Sequence, residues 1–396
     1  MKQKVVLYLF LAAIIASGCS SGRKNMEDLP FIDVRKNYPE KELLITDFAD
    51  VSYVHLNSAN ADYLYKGFIA HMYVTNNTFV IYDNTSGSIL FFSKDGTPKS
   101  RFNRVGQGPE EYYNEPWILY DEETDDIFVG NDQVDYIQVY SSRGEYKRRI
   151  PLPKYTPAHS LVSFDNQSFM VFTDEYYRYI FPESREKNKD KIPNYITYYR
   201  ISKTNGEVLD SFILLTNDVF LVAMHPELDI FIKNIYYRSV KGKDGLFVCN
   251  PENDTVFLYT HDKSLTPVFH KIPSVHKSDP MVVLDNVVDV SRYQFFYIRT
   301  IHWDIKSYPF KYYFRDKETN EIFRQKIILP DYKNKEFYIL AGGAKSAYGD
   351  GHIYELSLME LKQANKENRL SGKLKELVNT LNEFEDNNVF MLVHFK

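Results

Sequence analysis

Residues 77–102 read NTFVIYDNTSGSILFFSKDGTPKSRF, and residues 125–150 read DDIFVGNDQVDYIQVYSSRGEYKRRI. Offset by 48 residues, the landmarks coincide: Phe79 falls on Ile127, Asp83 on Asn131, Ile89 on Ile137, Phe92 on Tyr140 and Gly96 on Gly144. Each segment reads strand, polar turn, strand, glycine turn, strand. KDGT and SRGE suit hairpin tips because glycine takes positive φ without a Cβ clash. The same phrase returns in looser form at Gly245–Ile272, at Tyr195–Leu214 around Asn205-Gly206, and at Phe310–Leu329 around KETN. It opens once more at Gly349–Leu358. Four-stranded units repeating every ~40–60 residues mark propeller blades. One blade cannot bury both of its faces, so neighbours must stack around an axis.

A ring of blades has to close. ADVSYVHLNS (Ala49–Ser58) is an alternating strand with no blade of its own, and NNVFMLVHFK (Asn387–Lys396) is a strand at the other end. Both are expected in the last blade, so that the two chain ends share one sheet. Between them, Leu358–Asp386 carries helical spacing at Leu374, Leu377, Val378 and Leu381, with a break near Ser371-Gly372. The sequence therefore predicts an all-β fold. It is a six-bladed β-propeller of four-stranded antiparallel blades, with terminal strand closure and a helical insertion in the last blade. Seven blades is the main alternative, because the third and fifth units are diluted by insertions. Composition agrees: 32 Tyr and 28 Phe stand against 17 Gly and 17 Pro, and aromatic residues favour pleated, half-buried surfaces.

The amino end reads as an address. Lys2 and Lys4 precede an apolar run, Val5–Ala16, and Ser17-Gly18 stands directly before Cys19. That layout is a secretory signal over residues 1–18, too short to span a bilayer comfortably. Cysteine after small residues resembles the cleavage box of bacterial lipoproteins. The resemblance implies a cut before Cys19 and lipid on its sulfur and new amino group. Each buried CH₂ of such chains contributes ~0.8 kcal/mol, so several chains hold the protein at the membrane. Residues 19–45 are assigned to a polar tether and 46–396 to a single propeller domain. Cys249, in GLFVCNP, reads as a buried strand cysteine. A net charge of −5 without a long basic run gives no footprint for nucleic acid.

Taken together, the signal cysteine, the 48-residue echo, VGQGPEEY after the first blade and the closing NNVFMLVHFK resemble the six-bladed β-propeller lipoproteins of Gram-negative envelopes. These are relatives of the NHL-type and TolB-like propellers. The resemblance covers nearly all the chain after the signal. Its most specific element is Gly106, Gly108, Pro109, Glu111 and Tyr112. It implies a fold and a location at the outer membrane, on either its periplasmic or its surface face. It carries no catalytic residues.

The run RVGQGPEEYY (104–113) is not a phosphate loop: no lysine follows its glycines and no helix follows the run. One reading is a connection between blades, with Pro109 fixing its own φ and Tyr112 packing over the crossing. A sharper one places Arg104, Glu110, Glu111 and Tyr112 on the face around the central channel, where loops of a rigid scaffold carry function. Paired carboxylates for glycoside hydrolysis are available at Glu110, Glu111, Glu115 and within Asp121–Asp126. The ten histidines show no metal-ligand spacing, and Gly-x-Ser-x-Gly is absent. His71, His302 and His352 stand near expected blade starts.

Aromatic recognition is the stronger lead. Trp117 and Trp303 are the two tryptophans, and an insertion over Thr173–Tyr199 sets Arg178 among Tyr176, Tyr177 and Tyr179. Aromatic faces and arginine forks suit sugar rings, peptide segments or partner proteins. The expected ligand-binding set is Arg104, Glu110, Glu111, Tyr112, Trp117, Arg178, His302 and Trp303, with Cys19 lipidated and no cofactor or metal. The function expected is a lipid-anchored, non-enzymatic binding module for a glycan, peptide or envelope protein. The alternative is an envelope glycan hydrolase or lyase at the channel mouth.

Overall fold

The structure, a computed structural model, describes residues 29–396 apart from 59–60, 66–68, 174–194, 216–221, 226, 228–230, 234–238, 251–252, 305, 307–308, 340–345 and 349–350. The signal, Cys19 and Arg178 lie outside the described residues. The chain enters with β1 (Phe31–Asp33), β2 (Glu40–Leu44), a single helical turn α1 (Ile45–Phe48) and β3 (Ala49–His55). Blade I follows as β4 (Ile69–Val74), β5 (Thr78–Asp83), β6 (Ser88–Ser93) and β7 (Pro98–Phe102). Blade II is β8 (Trp117–Asp121), β9 (Asp126–Gly130), β10 (Tyr136–Tyr140) and β11 (Tyr146–Pro151). Its strands start 48 residues after those of blade I, as the echo requires.

Blade III is β12 (Val162–Ser163), β13 (Ser168–Phe172), β14 (Tyr195–Ser202) and β15 (Val208–Leu215). A small hairpin, β16 (Val222–Met224) and β17 (Phe231–Lys233), precedes blade IV. Blade IV is β18 (Ser239–Gly242), β19 (Gly245–Cys249), β20 (Thr255–Thr260) and β21 (Leu265–Ile272). Blade V is β22 (Val282–Asp289), β23 (Tyr293–Thr300), β24 (Lys311–Asp316) and β25 (Ile322–Ile328), with β26 (Glu336–Phe337) beside β25. After β27 (Ser346–Tyr348), which runs parallel to β4, come β28 (Gly351–Leu356), α2 (Leu358–Lys366), α3 (Gly372–Thr380) and β29 (Val389–Phe395).

Blade VI is the clasp. Its order is β28-β29-β3, and β29 runs antiparallel to β3 from Val389 opposite His55 to Phe395 opposite Ala49. Both expected terminal strands therefore meet in one sheet. The helical excursion also stands where the spacing put it. Ser357 caps α2 through the Glu360 N–H at 3.4 Å, and Ser371 is the residue before α3.

Why six blades close is visible in strand alternation, since successive side chains point to opposite faces. In β5, Phe79 and Ile81 enter the layer shared with blade VI, while Val80 and Tyr82 enter the layer shared with blade II. In β13, Phe169 and Val171 face blade II, and Met170 and Phe172 face blade IV. In β29, Met391 and Val393 face blade V, and Phe390 and Leu392 face blade I. Among the described residues the apolar core divides into six such layers, one per pair of neighbouring blades. Second strands are consequently buried on both faces: every residue of β5, β9, β13 and β19 is buried. First strands lie against one another, β4 with β8, β12 with β18 and β18 with β22, and so surround the axis.

One segment departs from its sequence reading. Residues 31–44 belong to the stretch assigned to a polar tether, yet β1 runs parallel to β21 and β2 runs parallel to β25. They form a strap along the rims of blades IV and V. Polarity misled because an added edge strand is held by main-chain bonds and needs few apolar side chains. Blades I and II protect their outer strands differently, with Lys99 and Arg101 on β7 and Lys147, Arg148 and Arg149 on β11. No helix among the described residues is long and apolar enough to cross a membrane.

His352, expected near a blade start, lies buried in β28, where the β28-β29-β3 sheet begins, and its ring meets Tyr354 at 4.5 Å. Burial pushes its pKa down to about 4, and burial also lowers His55 and His270. These groups are neutral in the folded state, whereas in the unfolded chain they take up protons below about pH 6.5. Their contribution is therefore intact above about pH 6.5 and is lost as the pH falls toward 4. Thermal melts across this window should show His352 alone removing roughly 3 kcal/mol. His352→Phe should flatten the decline; an unchanged pH profile in that variant would refute the assignment.

Candidate functional site

The run 104–113 carries the chain from the outer strand β7 to the inner strand β8. It closes on itself. Tyr112 N–H donates to the Arg104 carbonyl at 2.9 Å, and Gly106 N–H donates to the Tyr112 carbonyl at 3.0 Å. Gly108 N–H donates to Glu111 Oε2 at 2.8 Å, which folds that carboxylate back over the loop. A Cβ on Gly106 would overlap the carboxylate in this position and push it off the loop. Tyr112 is buried among Tyr82, Phe102 and Tyr140, with ring centroids 6.0–6.5 Å away. Its hydroxyl donates to the Gly87 carbonyl at 2.9 Å. Burial raises this phenol well above its ordinary value and keeps it a neutral donor.

The rest of the run is tied to blade II. Arg104 Nε donates to the Gly144 carbonyl at 2.6 Å. Tyr140 donates to the Glu110 carbonyl at 2.9 Å, and Arg149 donates to the Pro109 carbonyl at 2.7 Å. Arg104 and Tyr112 thus stitch blade I to blade II, Glu111 braces the loop itself, and the Glu110 side chain is exposed. The acidic run is likewise engaged. Glu122 accepts from Thr75, Asn77 and Thr78 at 2.9, 3.1 and 2.6 Å. Asp126 holds Lys147 at 2.7 Å and Arg148 at 2.5 Å.

What the structure does bring together is aromatic. In an up-and-down blade, the link from one blade to the next and the link from second to third strand share one face. Trp117 opens β8 on that face. His71, in the neighbouring first strand β4, lies 4.2 Å from it between ring centroids. His159, just before β12, lies 5.8 Å away on the side of blade III. His159 is held by Asp132, from the second turn of blade II: Nδ1 is 2.8 Å from Oδ2, and the His159 N–H donates to Oδ1 at 3.1 Å. Burial opposes ionisation of Asp132, but the bonds from His159 outweigh it and hold the carboxyl below its usual range. The His159 side chain is only 2% exposed, so the pair buttresses the row from behind.

The second tryptophan repeats the theme on the same face. Trp303 lies between β23 and β24, and the His225 ring, from the hairpin before blade IV, meets it edge-on at 4.6 Å. His302 precedes it, and its Nδ1 accepts the Asp304 N–H at 3.1 Å. Both tryptophans and His302 are half-buried. Sequence reading found Trp117, Trp303 and His302 but not their partners His159, Asp132 and His225. Those come from different blades, and no short motif links them. Among the described residues no group of His, Cys, Asp and Glu is arranged to hold a metal ion.

Comparison with known proteins places this geometry. A search of curated proteins matches none. A Bacteroides fragilis protein described as exported is similar in structure, with TM-score 0.60 and 16% identity over 90% of this chain and 98% of its own. Its identity level speaks for the fold alone. A Bacteroides vulgatus member of the duf4221 family gives TM-score 0.42 and 11% identity over 88% of this chain and 97% of its own. A streptogramin B lyase gives TM-score 0.37 and 12% identity over 86% and 97%. A family model described as a 6-bladed beta-propeller, DUF5128, matches residues 21–354. With six apolar layers closing one ring and that match spanning most of its length, the chain belongs to the DUF5128 family of 6-bladed beta-propellers.

Proposed function

We propose that the protein is a non-enzymatic binding module of the cell envelope, held at the outer membrane by lipid on Cys19. It takes a glycan or peptide against the tryptophan-bearing face of the propeller. The observation that carries this reading is the pairing of each tryptophan with a histidine ring on one face, Trp117 with His71 and Trp303 with His225. Such faces present apolar area with a polar edge, the chemistry of sugar-ring and side-chain recognition. Arg104 and Tyr112 are occupied in joining blades I and II and Glu111 in bracing its own loop, which supports a scaffold role for the 104–113 run. The signal layout supports the location.

Tryptophan fluorescence and calorimetry on the purified protein, against glycan and peptide panels, test this. Trp117→Ala should weaken the ligand found by ~10-fold or more, while Trp117→Phe retains most of the affinity. Unchanged affinity in Trp117→Ala and Trp303→Ala alike would overturn the reading.

A further inference from the structure

A cleft of about 470 Å³ opens between blades III and IV on the face opposite the tryptophans. Its walls come from three turns: Phe164–Gln167 between β12 and β13, Lys241–Gly245 between β18 and β19, and His261 between β20 and β21. The volume falls in the range of small-ligand sites, roughly 300–1,000 Å³.

Charge at this cleft is unbalanced. Lys241 and Lys243 are exposed and make no hydrogen bond or ion pair among the described residues. The lining carboxylate, Asp165, is already satisfied: it accepts from Gln167 N–H at 2.8 Å and Ser168 Oγ at 2.7 Å, and Arg200 stands 3.6 Å away. Asp244, at the hairpin tip, is exposed. Behind the wall, Lys203 is 8% exposed and 3.5 Å from Asp121. Burial lowers its pKa, and the Lys241 charge acts in the same direction against the pull of Asp121. One wall carries the exposed His261 ring, with the buried Phe164 ring tilted against it at 4.7 Å.

We propose that this cleft binds a sugar ring bearing an oxyanion, with the anionic group between Lys241 and Lys243 and the ring against His261. Two exposed ammonium groups without a counterion among the described residues attract a sulfate, phosphate or carboxylate, an attraction that salt screens. The exposed His261 ring, backed by Phe164, supplies the face that a free ion would not use. This site is independent of the tryptophan face and of the function proposed for it.

The test is calorimetric titration of the whole protein with glucuronate, glucose 6-phosphate, N-acetylglucosamine 6-sulfate, neutral glucose and inorganic sulfate. At least one anionic sugar should bind saturably, more tightly than sulfate or glucose, and less tightly as salt rises. The double variant Lys241→Gln with Lys243→Gln should weaken it by about tenfold or more. His261→Ala should weaken the sugar but not sulfate, and Trp117→Ala should leave both unchanged. Binding no tighter than that of inorganic sulfate, or binding indifferent to the lysine pair, would overturn the proposal.

Discussion

A chain ending at Asn388 is expected to lose cooperative unfolding altogether. The deletion removes β29, the middle strand of blade VI, in which Val389–Val393 are at most 2% exposed. Those side chains alternate between the layer shared with blade V and the layer shared with blade I, so both closing interfaces lose their core together. Burying five such residues is worth about 10 kcal/mol at ~1.5–3 kcal/mol each. That equals the whole net stability of an ordinary domain, about 5–15 kcal/mol. The deletion also strips the pairing of β3 and β28, leaving two unprotected edges. Circular dichroism melts and limited proteolysis should report an expanded, rapidly cleaved chain. A sharp melt within a few degrees of the full-length protein would mean that the ring does not depend on this clasp.

Gly96→Ala is expected to have the largest effect of any single methyl group. Gly96 sits in the β6–β7 turn at φ 88°, a conformation costing an L-residue roughly 1–2 kcal/mol. Its α-carbon also abuts the preceding blade: an added Cβ would overlap the His55 carbonyl oxygen at the end of β3. That oxygen belongs to backbone, and the Asn57 N–H bonds back to the Gly96 carbonyl at 2.9 Å, so neither side can yield cheaply. Adding about 1–3 kcal/mol for overpacking gives a total loss of roughly 2–5 kcal/mol, readable as a lower urea midpoint. The reverse swap is the control. Lys263 occupies the matching turn of blade IV at φ 66°, and Lys263→Gly should be neutral or stabilising by up to about 1 kcal/mol. If both substitutions behaved alike, turn conformation and blade contact would not be what the glycine is for.

Much of this architecture was legible because its determinants are local and repeated. The 48-residue echo marks real strand boundaries, since each blade needs the same apolar runs and the same turn chemistry. The clasp was legible because Val389–Phe395 has no neighbouring partner in sequence and is too apolar to remain outside a sheet. The strap was not, because KELL and FID are short and pair through main-chain groups that leave little trace in side-chain pattern. At the candidate site, residue type was visible but not use. Glu111 reads as a catalytic carboxylate until its bond to Gly108 N–H shows it bracing its own loop. Trp117 stood out by rarity, whereas His159 and Asp132 join it only through the stacking of separate blades.

The strap and clasp also set an order of events. Phe31–Asp33 pairs with His270–Ile272, Glu40–Leu44 with Arg324–Ile328, and Ala49–His55 with Val389–Phe395. The segments synthesised first are thus the ones that must wait longest, and contacts so distant along the chain slow folding. A polypeptide delivered amino end first cannot seal the ring until Val389–Phe395 emerges, and one interrupted before that strand remains open.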